Sequence, residues 1–159
     1  MDAILINSFS KATVTVIETM AATKVECGKP YIKEDANSYG VVTGLIGMAG
    51  DKISGNLAIS FDEAAVLEIV SNMLQETFSS LTPDVVDAVG EMTNIICGNA
   101  KSTLFDAGYK FDMATPAIIV GKDVTISQLK AAPVLVLPFS TPKGKIVLEA
   151  SFKKNNSSS

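Results

Sequence analysis

The segment from Thr82 to Gly108 constrains this chain more than any other. Thr82 suits a helix N-cap, Pro83 the first helical position, Asp84 the first turn and Gly108 the stop. Between them the pattern predicts one long helix, from about Pro83 to Ala107. At about 100° per residue, Val85, Val89, Met92, Ile96, Ala100 and Leu104 fall on one side. Asp87, Glu91, Asn94, Gly98 and Lys101 fall on the other. An unbroken apolar stripe of that length must be buried against a second layer.

The polar side carries the chemical content. Asp87, Glu91 and Asn94 stand at i, i+4 and i+7, so they share one face. A carboxylate and a carboxamide held about one turn apart make a two-point tool: the Glu grips a cation, and the Asn holds and aims a water. The ordinary account of such a stripe is a solvated face, which would carry Lys, Glu or Gln. Gly98, with Gly90 at the margin, and Asn94 argue against it. Glycine inside a helix costs about 1 kcal/mol against alanine, and Asn competes for backbone hydrogen bonds. Small residues leave room for another backbone to come close.

The chain of 159 residues reads as one domain, residues 1–153, with a disordered tail over 154–159. A first helix is predicted from Asp2 to Ala22, then strands near 31–33, 39–48 and 52–61, the last two joined at Ala49-Gly50-Asp51. A second helix starts after Ser60, with Glu63 completing a capping box, and ends near Leu74. After the Pro83 helix, strands are predicted over 111–120, 132–139 and 145–152, with a turn at Pro142-Lys143-Gly144. The order is a long helix followed by three strands, twice. That makes an α+β, pseudo-twofold domain whose mainly antiparallel sheet is packed by long helices. Superposing the halves with Asp2 on Asp84 sets Phe9 at Glu91 and Ala12 at Asn94, so only the second half carries the Glu–Asn pair.

Composition excludes several functions. No apolar run approaches the roughly 18 residues that span a membrane, despite 47% hydrophobic residues and a mean hydropathy of +0.32. No basic segment precedes the first apolar residues, so a cytoplasmic location is expected. A net charge of −4 without a basic cluster argues against nucleic acid. With no His and only Cys27 and Cys97, the chain has neither a zinc site nor a His-dependent triad. Cys97 is expected to be partly buried in the long helix and not catalytic. Gly121-Lys122-Asp123 lacks the rest of a phosphate loop.

The spacing Asp-x-x-x-Glu-x-x-Asn from Asp87, followed by Gly98-Asn99-Ala100-Lys101 and by Pro116, resembles the CheC/CheX/FliY chemotaxis phosphatases. The stretch Asn7 to Met20 is similar to the first helix of the CheX branch, and the resemblance covers nearly the whole chain. It implies a CheC-like fold and hydrolysis of the aspartyl phosphate on a phosphorylated CheY-type response regulator. It implies Asn94 as the residue that orients the water and Glu91 as the ion-pair partner of the receiver's active-site Lys. Asp87 makes a supporting rim contact or none; Gly98 leaves room for the partner; Lys101 meets an acidic partner surface or is only solvated. No cofactor is expected on this chain, and Mg2+ is expected on the receiver. A homodimer is expected, with Val134-Leu135-Val136-Leu137 as a candidate for pairing across chains. The alternatives are a non-catalytic module that docks on a phosphorylated receiver, and a dimer whose helix faces are interfaces only.

Overall fold

Two long helices set the frame. The computed structural model describes residues 3–130 and 133–155. Helix α1 is Ala3–Ala21, followed by the short strands β1 (Glu26–Cys27) and β2 (Tyr31–Lys33). A hairpin of β3 (Val42–Gly50) and β4 (Ile53–Phe61) leads into α2 (Glu63–Leu74) and α3 (Pro83–Asp106). The chain then forms β5 (Phe111–Met113), β6 (Ala117–Val120), a 3-10 turn at Ser127–Leu129 and a second hairpin, β7 (Val134–Ser140) and β8 (Lys145–Lys154).

All strands join one eight-stranded sheet in the order β1-β7-β8-β4-β3-β5, with β2 also against β7 and β6 also against β3. Every pairing is antiparallel. The two hairpins meet at β4 and β8, and each half lends its short strands to the other half's hairpin. The helices cover one face. Phe9, Ile17, Val66, Ile69, Val89 and Ile96 close onto Ile46, Leu57, Ile59 and Leu148 in a single core.

Local chemistry explains the boundaries. Thr82 caps α3 by accepting the Val85 N–H, Pro83 opens it, and Gly108 follows its end at φ +95°. The α2 cap is Asp62, whose Oδ1 accepts the Ala65 N–H at 2.8 Å. Ser60, the expected cap, is still inside β4 and is bonded to Thr43 at 2.7 Å. The single strand expected over 111–120 is two, because the ladder is interrupted between Met113 and Ala117.

Three further expectations change. Phe9 and Ala12 are buried, so they cannot be in phase with the exposed Glu91 and Asn94. Burial matches when Leu5, Ser8, Phe9, Ala12 and Thr13 are set on Val85, Ala88, Val89, Met92 and Thr93. The match extends to chemistry: Thr13 Oγ1 donates to the Phe9 carbonyl and Thr93 Oγ1 to the Val89 carbonyl, each at 2.8 Å. Val134–Leu137 cannot pair across chains, because β8 and β1 with β2 already flank β7. The tail does not begin at Lys154, which pairs with Ile53, and Asn155 N–H donates to the Lys52 carbonyl at 2.8 Å. Residues 156–159 lie outside the described residues, as do Asp2 and Ala132, where the first helix and one strand were expected to begin. Among the described residues no helix is long and apolar enough to cross a membrane.

The opposite sheet face holds a buried charge. Glu149 of β8 is fully buried and ion-paired with Lys33, which also donates to the Asn37 carbonyl at 2.8 Å. Burial raises the Glu149 carboxyl above its ordinary value, against the pull of the Lys33 ammonium. A raised carboxyl contributes stability that is full below its unfolded value, 4.5, and that is lost as pH climbs through the folded value. Lys33→Met removes the counter-charge and raises the carboxyl further. It should therefore cost roughly 3–5 kcal/mol at alkaline pH and far less near pH 4.5. Denaturant unfolding at both pH values checks this, and an equal loss at the two would sink it.

Candidate functional site

The apolar side of α3 is buried as the periodicity requires: Val85, Val89, Met92, Ile96, Ala100 and Leu104 are all inaccessible. That orientation sends Asp87, Glu91 and Asn94 outward, where all three are exposed. Neither Glu91 nor Asn94 has a hydrogen-bond or ion-pair partner among the described residues. A rigid helix thus holds up a carboxylate and a carboxamide with every donor and acceptor free.

They do not face open solvent alone. The segment between β5 and β6 rises opposite α3 and closes a groove of about 470 Å³. Asp87, Gly90, Glu91 and Asn94 form the helix wall; Met113, Ala114, Thr115, Pro116 and Ile118 form the other. The second wall exists because Pro116 has no N–H to give a ladder and interrupts the strand. Before the break, Ala114 N–H donates to the Gly47 carbonyl at 2.9 Å; after it, β6 pairs with β3 again from Ala117. Gly90 lets the walls approach, since a Cβ built there would lie 3.2 Å from Ile118 Cδ1.

The structure therefore brings Asp87, Glu91 and Asn94 into one groove. Gly98 and Lys101 continue the same stripe toward the helix C-terminus, beyond the groove walls. Among the described residues, a Cβ built at Gly98 would meet nothing within 4 Å, so no contact with them accounts for a glycine there. The wall residues Met113, Ala114, Thr115 and Ile118 had no sequence signal of their own. Pro116 was the available clue, as a breaker in an otherwise continuous strand pattern.

Cys97 takes no part. It is completely buried rather than partly, and burial pushes its thiol up to about 12. At neutral pH it has essentially no thiolate. Among the described residues no three His, Cys, Asp or Glu side chains group closely enough to hold a metal ion. The groove can accept and donate hydrogen bonds, place a negative charge against a cation and hold a water. Without a His it offers no side chain that titrates ordinarily near neutrality.

The family model described as "Chemotaxis phosphatase CheX" matches residues 42–140, more than half of the chain. The CheY-P phosphatase CheX of Thermotoga maritima is 26% identical over 141 residues, covering 88% of this chain and 89% of its own. Among solved structures, a CheC-like superfamily protein from Shewanella sp. PV-4 is 41% identical with a TM-score of 0.89, covering 96% of this chain and 99% of its own. A CheX–CheY–BeF3–Mg2+ complex from Borrelia burgdorferi contains a chain 30% identical with a TM-score of 0.80, covering 93% of this chain and 97% of its own.

Proposed function

This chain belongs to the CheX family of chemotaxis phosphatases, and from that membership we propose that it hydrolyses the aspartyl phosphate of a CheY-type receiver domain. The observation that carries the reading is the pair Glu91 and Asn94, exposed, free of partners and side by side on one wall of a groove. A relative has been solved in complex with CheY, BeF3 and Mg2+. The match of α1 to α3 in burial and in the Thr13 and Thr93 hydroxyl bonds supports a duplicated fold. In that register Lys11 and Val14 occupy the places of Glu91 and Asn94, so each chain has one site.

An aspartyl phosphate is a mixed anhydride and already activated. The receiver brings the Mg2+, which neutralises charge on the phosphoryl oxygens. What remains is to place a water in line with the phosphorus, since phosphoryl transfer depends chiefly on positioning and charge stabilisation. The Asn94 carboxamide oxygen accepts a hydrogen bond from that water and its amide N–H donates toward the reacting group. The water oxygen bonds to phosphorus, the bond from phosphorus to the aspartyl oxygen breaks, and inorganic phosphate and the free carboxylate result. Glu91 pairs with the receiver's active-site Lys and fixes the helix in register. Asp87 supports the rim contact. Gly98 lets the receiver backbone approach, and Lys101 lies at the edge of that contact.

The test is the decay of phosphorylated CheY from the same organism, alone and with this protein. Asn94→Ala should lose roughly a hundredfold of the acceleration while still binding. Glu91→Ala should lose both rate and affinity. Neither variant should melt earlier than the parent, because both side chains are exposed and unbonded. Binding without acceleration by the parent protein would leave the docking module standing instead. Gly98→Ala should raise stability by about 1 kcal/mol and yet weaken receiver binding; a variant that is more stable and binds equally well would remove Gly98 from the interface.

We also infer a homodimer formed through a sheet edge. Tyr31 and Ile32 on β2 are 52% and 59% exposed, apolar and on an outer strand. Sedimentation velocity should give a dimer that Ile32→Lys converts to monomer; a parent protein that sediments as a monomer would refute it.

A further inference from the structure

Gly44 lies in β3 directly beneath α3. A Cβ built at Gly44 would run into Thr93 Oγ1 and stand 2.9 Å from Thr93 Cβ and 3.1 Å from its Cγ2. Thr93 has nowhere to retreat. It is completely buried, and its hydroxyl is held at 2.8 Å on the Val89 carbonyl. Turning the side chain away would break that bond inside a packed core. The bare backbone at Gly44 is therefore what allows α3 to lie this close to the sheet.

The same residue places the other wall of the groove. In the ladder Gly44 is the partner of Ile118 on β6, and Ile118 is the side chain that meets Gly90 across the groove. Both walls are thus referred to one point on β3: α3 through Thr93, and β6 through the strand pairing. Thr93 immediately precedes Asn94, so its seating determines how far the carboxamide projects. The arrangement is particular to α3. Thr13 makes the same hydroxyl bond in α1, yet no glycine has Thr13 among its nearest neighbours.

We propose that Gly44 is a positioning residue for Asn94, fixing the depth of α3 on β3 and with it the placement of the carboxamide over the groove. The role rests on the phosphatase reading above and adds to it the element that aims the site. A methyl group at Gly44 must lift the helix or push β3 away, because a packed interface has no slack to absorb it. A displacement of about 1 Å is enough to cost up to a hundredfold in a reaction that depends on positioning.

The experiment is a double-mutant cycle on the full chain, read as the acceleration of phosphorylated CheY decay, with circular dichroism and melting to verify folding. Gly44→Ala should fold and lose ten- to a hundredfold of the rate. In the Asn94→Ala background the same change should cost far less than in the parent, because most of its effect runs through Asn94, and only the displacement of Glu91 on the same helix remains. Adding Thr93→Gly to Gly44→Ala should recover most of the loss, since it removes Oγ1, Cβ and Cγ2, the atoms that the methyl meets. A folded Gly44→Ala with full activity overturns the proposal, and so does a loss that simply adds to that of Asn94→Ala. If Gly44→Ala alone does not fold, the pair Gly44→Ala/Thr93→Gly is compared with Thr93→Gly: rates within about threefold uphold the fit, and a further tenfold loss in a folded double variant overturns it. No acceleration by the parent protein would overturn the phosphatase reading together with this role, whereas full acceleration by Asn94→Ala would overturn the Asn94 assignment and this role and leave the phosphatase reading standing. A loss in Asn94→Ala with none in Gly44→Ala would overturn this role alone.

Discussion

The seating of α3 on β3 is the contact on which the rest of the arrangement depends. Eight apolar side chains of the helix disappear into the core, and Thr93 goes down among them over Gly44. That burial leaves the helix no freedom to roll. What it shows to the outside, Glu91 and Asn94 above all, is dictated by what it hides. A polar pair placed this way is as rigidly mounted as a core residue while remaining fully available to a partner.

The sheet supports this by crossing its halves. The β3–β4 hairpin receives β5 and β6 from later in the chain, and the β7–β8 hairpin receives β1 and β2 from earlier. Neither hairpin completes its side of the sheet from its own half, so the two halves stabilise each other through long-range pairing. The groove inherits this property. One wall is a helix and the other is a strand break borrowed onto β3, and both rest on one strand. The far face is different in kind, with a smaller apolar cluster and the buried Lys33–Glu149 pair.

Much of this was legible in the sequence, for identifiable reasons. Helix α3 was readable because its cap, first proline, apolar period and final glycine all agree. Its outward stripe followed from the same arithmetic, and with it the candidate residues Asp87, Glu91 and Asn94. The α2 cap was misplaced because Ser60 and Asp62 are both good capping residues, and only the length of β4 decides between them. The groove's second wall was hidden because alternation in the residues around Pro116 reads as one strand. Val134–Leu137 looked like free edge because an apolar run carries no sign of how many neighbours its strand has. The register between α1 and α3 slipped because matching the acidic residues at their starts is a weaker guide than matching the buried positions, which only the packing reveals.

The absence of partners around Glu91 and Asn94 has a consequence for time rather than for geometry. Neither side chain is held in one rotamer by a bond to another described residue, and whatever engages them must fix it. For a residue such as Glu that ordering costs about 1.5–2 kcal/mol, a penalty that a pre-bonded side chain would already have met. The penalty comes off the affinity and not off the fold. A helix face that presents unbonded groups on a rigid mount therefore favours brief encounters, in which a partner is gripped accurately and then let go.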